Sequence, residues 1–340
     1  MRTEPFTAAW HRWERANLHY MELGEVWNRY IASHPFDYEL SHQGGGTYIL
    51  RVWETEPMPA DFAVEMGEWL YNLRATLDYI IWALAAYTAG SVPPPKEEAL
   101  QYPIYDDAGT WKKNFWRIKE LAPRHQEMLL QMQPFNSDPD ANYLGWINRL
   151  ARIDRHRSLV NGTSRLVELE PVFEIKGGRG KYKFTPELQW GDRVLRDGRA
   201  DAARITIFPW DETVQVQCNP RVGIDPEVAE WSASKFWGPM RFTERLKLLQ
   251  TWVAAEIAIY EYECTGTSRK EHLLAESFRK DSDDRRPTAS LRLPTRHETI
   301  WSAPAAGSQS SKERLHGEDF PSGPHPVRKR HTTDSCESQR

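Results

Sequence analysis

The stretch that decides the fold is Trp69-Leu-Tyr-Asn-Leu-Arg-Ala-Thr-Leu-Asp-Tyr-Ile-Ile-Trp-Ala-Leu-Ala-Ala-Tyr-Thr-Ala89, in which Arg74 and Asp78 are the only charged residues. It forms the later part of a helix that the sequence predicts from about residue 60 to residue 89, entered after Pro59. A helix that is apolar nearly all round is normally buried. We therefore expect this helix to lie at the centre of the folded body.

Further helices are predicted where apolar residues recur every three or four positions. Asp138 is the expected N-cap of one of them, with Pro139 in its first position. The last helix carries two apolar faces, so we expect it to be largely buried as well. The predicted ranges are about 6–33, 107–121, 124–133, 139–160 and 242–263.

Two segments show the period-two alternation that is typical of β-strands. Residues 36–54 predict a hairpin around three consecutive glycines, and residues 163–221 predict a meander of antiparallel strands. Helices followed by strands and a last helix indicate an interwoven α+β body. The fold class is therefore α+β: a helical bundle of long helices with an antiparallel β-meander inserted before the last helix.

The composition of the chain changes after Cys264. Only 16 of the 76 residues from 265 to 340 are apolar, whereas residues 1–264 hold 14 of the 15 tryptophans. A segment with so few apolar residues cannot bury enough surface to order itself. We therefore expect a single α+β domain over 1–264 and a mostly disordered tail over 265–340.

Charge and cysteine usage narrow the class of protein. The net charge of −4 excludes a strongly basic nucleic-acid coat protein, and three widely separated cysteines argue for a reducing compartment. The start of the chain has no apolar leader, and the most apolar stretch is too short to span a bilayer. We expect a soluble, cytoplasmic protein that does not enter a membrane. Because the chain has no metal or cofactor motif, neither a metal nor a cofactor is expected.

The first candidate site lies on the central helix. Arg74 and Asp78 are four positions apart, so their side chains share one face of the helix. A buried charge without a partner is costly, so the two must pair with each other or with a group on a neighbouring helix. Asn72 is a third polar residue in the same apolar stretch. Together with Asp154 of a second segment, these three are the candidate binding residues.

The second candidate site is the segment Asn148-Arg-Leu-Ala-Arg-Ile-Asp-Arg-His-Arg157. Arg149 and His156 are two helical turns apart and share a stripe, with Arg152 between them. Arginines can neutralise a phosphate while an imidazole moves a proton near neutral pH, so these three are the candidate catalytic residues. The alternative is a solvated face of an amphipathic helix, with His156 near its C-terminal end.

A family resemblance rests on four segments in order along the chain. They resemble the "HNLRSALDHL", "FPI", "QPY" and "IDKHR" segments of a large family of uncharacterised bacterial proteins. The resemblance spans roughly residues 6–264 and implies a shared α+β body without an established activity. The four segments are Gly67-Glu-Trp-Leu-Tyr-Asn-Leu-Arg-Ala-Thr-Leu-Asp-Tyr-Ile-Ile-Trp82, Tyr102-Pro-Ile104, Gln133-Pro-Phe135, and Leu144 through Ile153-Asp-Arg-His-Arg157.

The spacing of Arg149 and His156, with six residues between them, also resembles the R-x(4–6)-H motif of HEPN domains, small helical bundles that often cut RNA. This resemblance implies a metal-independent RNase. In such an enzyme His156 would act as base or acid at a ribose 2′-hydroxyl. Arg149 and Arg152 would stabilise the charge of the phosphorane.

Two hypotheses for the function stay open. The first is a binding or interaction protein for an unidentified ligand or protein, because no specific catalytic motif is found. In it Arg74, Asp78, Asp154 and His156 form a structural cluster between two central helices. The second is the HEPN-like RNase, with RNA as the partner. An oligomer is compatible with both, and both require that the two candidate helices meet in space.

Overall fold

The computed structural model describes residues 6–156, 162–178, 181–188 and 193–267, all of which belong to one compact unit. The predicted tail lies outside these residues from position 268 on, so its disorder stays a prediction. Long helices and antiparallel strands make up the described part of the chain, which confirms the α+β class.

Seven α-helices are found in the described part of the chain. Three single turns of 3-10 helix connect them, at Glu97–Ala99, Phe115–Arg117 and Pro134–Asn136. The α-helices are α1 (Thr7–Ala32), α2 (Ala60–Ala89), α3 (Ala108–Asn114), α4 (Pro123–Gln131), α5 (Tyr143–His156), α6 (Ala229–Ser232) and α7 (Phe242–Thr265).

The helix α2 occupies the centre of the helical layer. It contacts α1, α5 and α7, and Leu73, Leu77 and Ile80 on it are fully buried. It begins after Pro59 and ends at Gly90, whose φ of +65° is the left-handed conformation that glycine adopts without strain. The central position expected from the apolar stretch is therefore observed.

Two helices differ from their predicted ranges. The helix expected over 107–121 ends at Asn114, whose side-chain amide donates to the Thr110 carbonyl before the chain tightens into a 3-10 turn. The helix expected from residue 139 begins four residues later. Its cap is Asn142, whose side-chain oxygen accepts from the Gly145 N–H at 2.9 Å, because Asp138 instead closes a separate turn. Its predicted end at residue 160 lies outside the described residues.

All paired strands are antiparallel. They form a four-stranded sheet in the order β1-β2-β6-β5 and two separate pairs, β3-β8 and β4-β7. The strands are β1 (Phe36–Gly44), β2 (Thr47–Glu54), β3 (Gly162–Leu169), β4 (Val172–Lys176), β5 (Lys183–Glu187), β6 (Arg199–Phe208), β7 (Gln215–Asn219) and β8 (Val222–Val228).

The strands expected to form a meander over 163–221 pair in nested order instead. β3 pairs with β8, β4 with β7, and β5 with β6, and β6 also joins the N-terminal hairpin through β2. Alternating apolar residues identify the buried face of a strand but not its partner. Which strands pair depends on where each apolar face is buried in the tertiary structure. The alternation does not specify this.

Candidate functional site

The Arg74–Asp78 pair holds the backbone of a neighbouring segment. The Arg74 Nη1 donates to the Asp78 Oδ1 at 2.6 Å, as the spacing of four positions predicts. The Arg74 Nη2 donates to the Tyr102 carbonyl at 2.7 Å, and the Tyr102 N–H donates to the Asp78 Oδ1 at 2.8 Å. Both polar backbone groups of Tyr102 are therefore satisfied by one ion pair on α2.

Gln133 holds the other end of the same segment. Its side-chain amide donates to the Pro103 carbonyl at 2.8 Å, and its side-chain oxygen accepts from the Tyr105 N–H at 3.0 Å. Gln133 is fully buried. Arg74, Asp78 and Gln133 together thus replace a strand partner for residues 102–105, and we call these three side chains the backbone clamp.

The residues of the backbone clamp come from two of the four segments quoted above, and a third segment is the one that they hold. The segment of Arg74 and Asp78 and the segment of Gln133 both bind the segment that begins at Tyr102. Gln133 was not among the candidate residues, and the sequence analysis named it only as the first residue of Gln133-Pro-Phe135. A role in holding the fold accounts for all three clamp residues.

Asn72 connects two helices. It is buried, its amide donates to the Glu68 carbonyl at 2.8 Å, and its side-chain oxygen accepts from Arg12 Nη1 at 3.3 Å. Because Arg12 belongs to α1, the contact joins α1 to α2. The hydrogen bonds of Asn72 thus go to the protein itself, as expected for a structural polar group.

The two candidate helices meet beside the backbone clamp. α2 contacts α5, and a cavity of about 140 Å³ lies between them. The side chains of Asp154 and His156 lie outside the described part of the structure, so their predicted contact with Arg74 or Asp78 stays a prediction. The cavity is lined by Gly67, Tyr71, Arg74, Ala75, Asp78, Tyr79 and Ala151.

The two arginines proposed for catalysis are both exposed on α5. The guanidinium carbon of Arg149 lies 4.4 Å from the centre of the Trp146 ring, one turn earlier on the same helix. This cation–π contact gives Arg149 a structural partner without removing its charge from solvent. The structure therefore leaves the charges of Arg149 and Arg152 accessible.

Glu256 of α7 is the centre of a buried polar cluster that the sequence analysis missed. Its carboxylate accepts from the Tyr102 hydroxyl at 3.0 Å and from the Tyr143 hydroxyl. Burial raises the pKa of Glu256 above its usual range, and burial together with this carboxylate raises the pKa of both tyrosines. The one feature of the sequence that could have indicated this cluster is an acidic residue inside the apolar run 252–260.

His125 and Cys264 form a second buried contact on α4 and α7. The His125 Nε2 lies 3.8 Å from the Cys264 Sγ, and burial lowers the pKa of His125 and raises that of Cys264 to about 12. A neutral imidazole beside a protonated thiol is not an activated nucleophile. Among the described residues, no group of three metal-ligating side chains is placed to hold an ion.

The outer face of α7 is apolar and exposed, which corrects the expectation that this helix is buried on both faces. The exposed fractions are 36% for Leu248, 47% for Trp252, 49% for Ile259 and 61% for Tyr262. Ala255 lies among them and is half-buried. These five residues follow spacings of four, three, four and three, so they form one stripe along the helix. We call it the α7 stripe.

Tyr143 orients the largest side chain of the α7 stripe. The Tyr143 ring stacks on the Trp252 ring with centroids 5.4 Å apart and planes 14° apart. The Tyr143 hydroxyl is fixed at the same time by Glu256. Trp252 is therefore held against the body on one ring face while nearly half of its surface stays in solvent.

Comparisons with protein-family models, with curated proteins and with solved structures give no match to this chain. Within the residues that the structure describes, none of the helices is long and apolar enough to cross a membrane. The function is therefore argued from the geometry of the chain alone.

Proposed function

We propose that the chain is a cytoplasmic interaction protein that associates with a second copy of itself through the α7 stripe. The observation that carries this proposal is the row of four exposed apolar side chains at heptad spacing on one helix. A contiguous apolar patch on a protein surface marks an interaction site. Alternating spacings of four and three residues are those of a helix that packs side by side with another helix.

The arrangement of residue sizes in the α7 stripe favours a second copy as the partner. Ala255 is at its middle, with Trp252 and Leu248 on one side and Ile259 and Tyr262 on the other. A two-fold axis at Ala255 would place Leu248 level with Tyr262 of the second copy, and Trp252 beside Ile259. Such an interface uses the same patch on both copies. The small side chain at its centre lets the two helices approach closely.

The polar residues of the helical layer fit this proposal. Asn72 and the backbone clamp bind other parts of the same chain. We extend this structural role to Asp154 and His156, which in this proposal complete a cluster between α2 and α5. The partner surface then depends on α7 and not on the charged residues.

Analytical ultracentrifugation of the full chain tests the association. We expect the wild type to be a dimer and Trp252→Glu to be a monomer, because the substitution places a charge in the apolar interface. The matched control is Tyr87→Glu, which alters an equally exposed aromatic residue on α2 and should leave the dimer intact. A monomeric wild type, or equal dissociation of both variants, would show that the proposal is wrong.

Cross-linking tests the two-fold arrangement. On oxidation, the Ala255→Cys variant should form an intermolecular disulfide, because the two-fold axis brings both copies of this position together within the roughly 4.4–6.8 Å between Cα atoms that a disulfide needs. Tyr262→Cys should not cross-link above the level that the native cysteines give. Efficient cross-linking at both positions would indicate parallel helices and overturn the arrangement.

The HEPN-like RNase is a second candidate function, supported by the exposed charges of Arg149 and Arg152. An RNase needs such accessible cations to neutralise a phosphorane. Incubation of the full chain with a labelled single-stranded RNA in the presence of a chelator tests it, and Arg149→Ala and His156→Ala should each abolish cleavage without unfolding the protein. Absence of cleavage by the wild type, or cleavage that both variants retain, would reject this function.

A further inference from the structure

A larger cavity, of about 470 Å³, opens beside β3, at the segment that follows α6. Pockets for small molecules typically have about 300–1,000 Å³. The cavity between α2 and α5 falls below this range and this one lies within it. The side chains that line it include Arg165, Arg193, Ser232, Ser234 and Lys235, and none of its described lining residues is acidic.

The charge of Arg165 is not cancelled by the carboxylate that it touches. Glu227 is fully buried and binds Arg245 through two hydrogen bonds of 2.6 and 2.7 Å. Arg165 approaches the same carboxylate only at 3.4 Å, and it also donates to the Gly238 carbonyl. One carboxylate thus faces two arginines, and the closer pair is with Arg245. The remaining positive charge lies at the wall of the cavity.

Arg193 and Lys235 add two further cations. Within the described ranges, neither side chain has an ion pair. A second carboxylate in the hydrogen-bond network of the cavity, besides Glu227, is that of Asp140, which accepts from the Ser234 hydroxyl and from the Phe236 N–H, both at 3.0 Å. Among the described residues, the two carboxylates Glu227 and Asp140 are thus set against four cations, which are the three of the cavity and Arg245. About two positive charges are left in excess.

We propose that this cavity binds the phosphate group of a small organic phosphate. A phosphate monoester carries a charge of about −1.5 to −2 at neutral pH, which matches the excess of positive charge. The forked donors of Arg165 and Arg193 suit its oxygens. The Ser232 hydroxyl, which donates to the Ala229 carbonyl at 2.8 Å, can rotate to supply a further donor. The volume of the cavity leaves room for an organic group beside the phosphate.

Isothermal titration of the full chain with phenyl phosphate and with inorganic phosphate tests the proposal, in chloride buffer of constant ionic strength. We expect saturable binding of both probes and tighter binding of phenyl phosphate. Arg193→Gln/Lys235→Gln should weaken the binding of each probe by about tenfold or more, because two charge-assisted hydrogen bonds are lost. These two positions are chosen because neither side chain has an ion pair in the described structure, so the body should still fold.

The matched control is Arg15→Gln/Lys113→Gln, which removes one arginine and one lysine charge from exposed positions elsewhere. It should bind phenyl phosphate as the wild type does. Benzoate, a carboxylate of similar size, should bind more weakly than phenyl phosphate. The proposal is overturned if the wild type shows no saturable binding, if both double variants weaken equally, or if benzoate binds as tightly as phenyl phosphate.

Discussion

The helices α2 and α7 are both apolar on nearly every side in the sequence, and they contact each other, yet the central part of α2 is covered far more completely than α7. From Asn72 to Ala86, α2 has no exposed residue, whereas α7 exposes a whole stripe that includes Trp252 and Ile259. The difference teaches that a helix with apolar residues all round is predicted to be packed on every face. The pattern does not predict whether the packing partner belongs to the same chain.

The neighbours of the two helices explain the difference. α2 lies among α1, α5 and α7, and from Asn72 to Ala86 none of its residues is exposed. α7 contacts α1, α2, α5 and β8, and on its outer face Tyr143 stacks on Trp252. Among the described residues, Leu248, Ile259 and Tyr262 of that face stay exposed. An apolar face without a neighbour among the described residues is the surface that we propose for a second copy.

Removal of one leucine from each helix should give the largest contrast. Leu77→Ala on α2 should lower the free energy of unfolding by about 2–5 kcal/mol, because Leu77 is fully buried and the substitution leaves a cavity. Leu248→Ala on α7 should cost under about 1 kcal/mol in the monomer, because this side chain is partly in solvent already. Urea denaturation of both variants measures this, and equal losses would show that α7 is covered like α2.

Removal of the Asp78 carboxylate should have an intermediate effect. Asp78→Ala leaves the buried guanidinium of Arg74 without its nearest counter-charge and frees the Tyr102 N–H. We expect a loss of about 2 kcal/mol, less than for a fully buried pair because the Asp78 side chain is 35% exposed. Glu68→Ala, an exposed acidic residue on the same helix, is the control and should change stability by under about 0.5 kcal/mol. A loss as small as that of the control would refute the clamp.

The smallest effect is expected from the buried acid of α7 and depends on pH. Burial raises the pKa of Glu256, so its contribution to stability is present below the pKa of the unfolded chain and is lost as the pH rises through the folded value. Glu256→Gln does not titrate, so its stability relative to the wild type should increase as the pH rises above the ordinary pKa of a glutamate. Urea denaturation at a series of pH values measures the difference. A constant difference would show that Glu256 has an ordinary pKa.

The candidate residues on α2 were accessible to sequence reasoning because their main interaction is local. Arg74 and Asp78 are four positions apart on one helix, and this spacing alone predicts their contact. The partners of Gln133 are about 30 residues away in the sequence, and those of Glu256 more than 110. No rule of residue spacing predicts contacts over such sequence distances. The sequence therefore assigned no role to Gln133, in a loop, or to Glu256, in an apolar run.

The basic cavity was hidden from the sequence for the same reason. Arg165, Arg193 and Lys235 belong to segments separated by about 28 and 42 residues, and each by itself is typical of an exposed surface. Their convergence follows from the pairing of β3 with β8 and from the bridge between Arg165 and Val194. The expected meander contains no such pairing, so it could not have predicted the cavity.

The sequence by itself determined the α+β class, the central position of α2 and the ion pair on it, because periodicity and short spacings express local geometry. The tertiary structure alone decided that the strands nest, that α7 keeps one apolar face in solvent and that three distant cations meet at one cavity. These features depend on which segments come together across the chain. Each segment has its own pattern of apolar and charged residues. Which segments become neighbours, however, is decided by the free energy of the whole fold and not by any one segment.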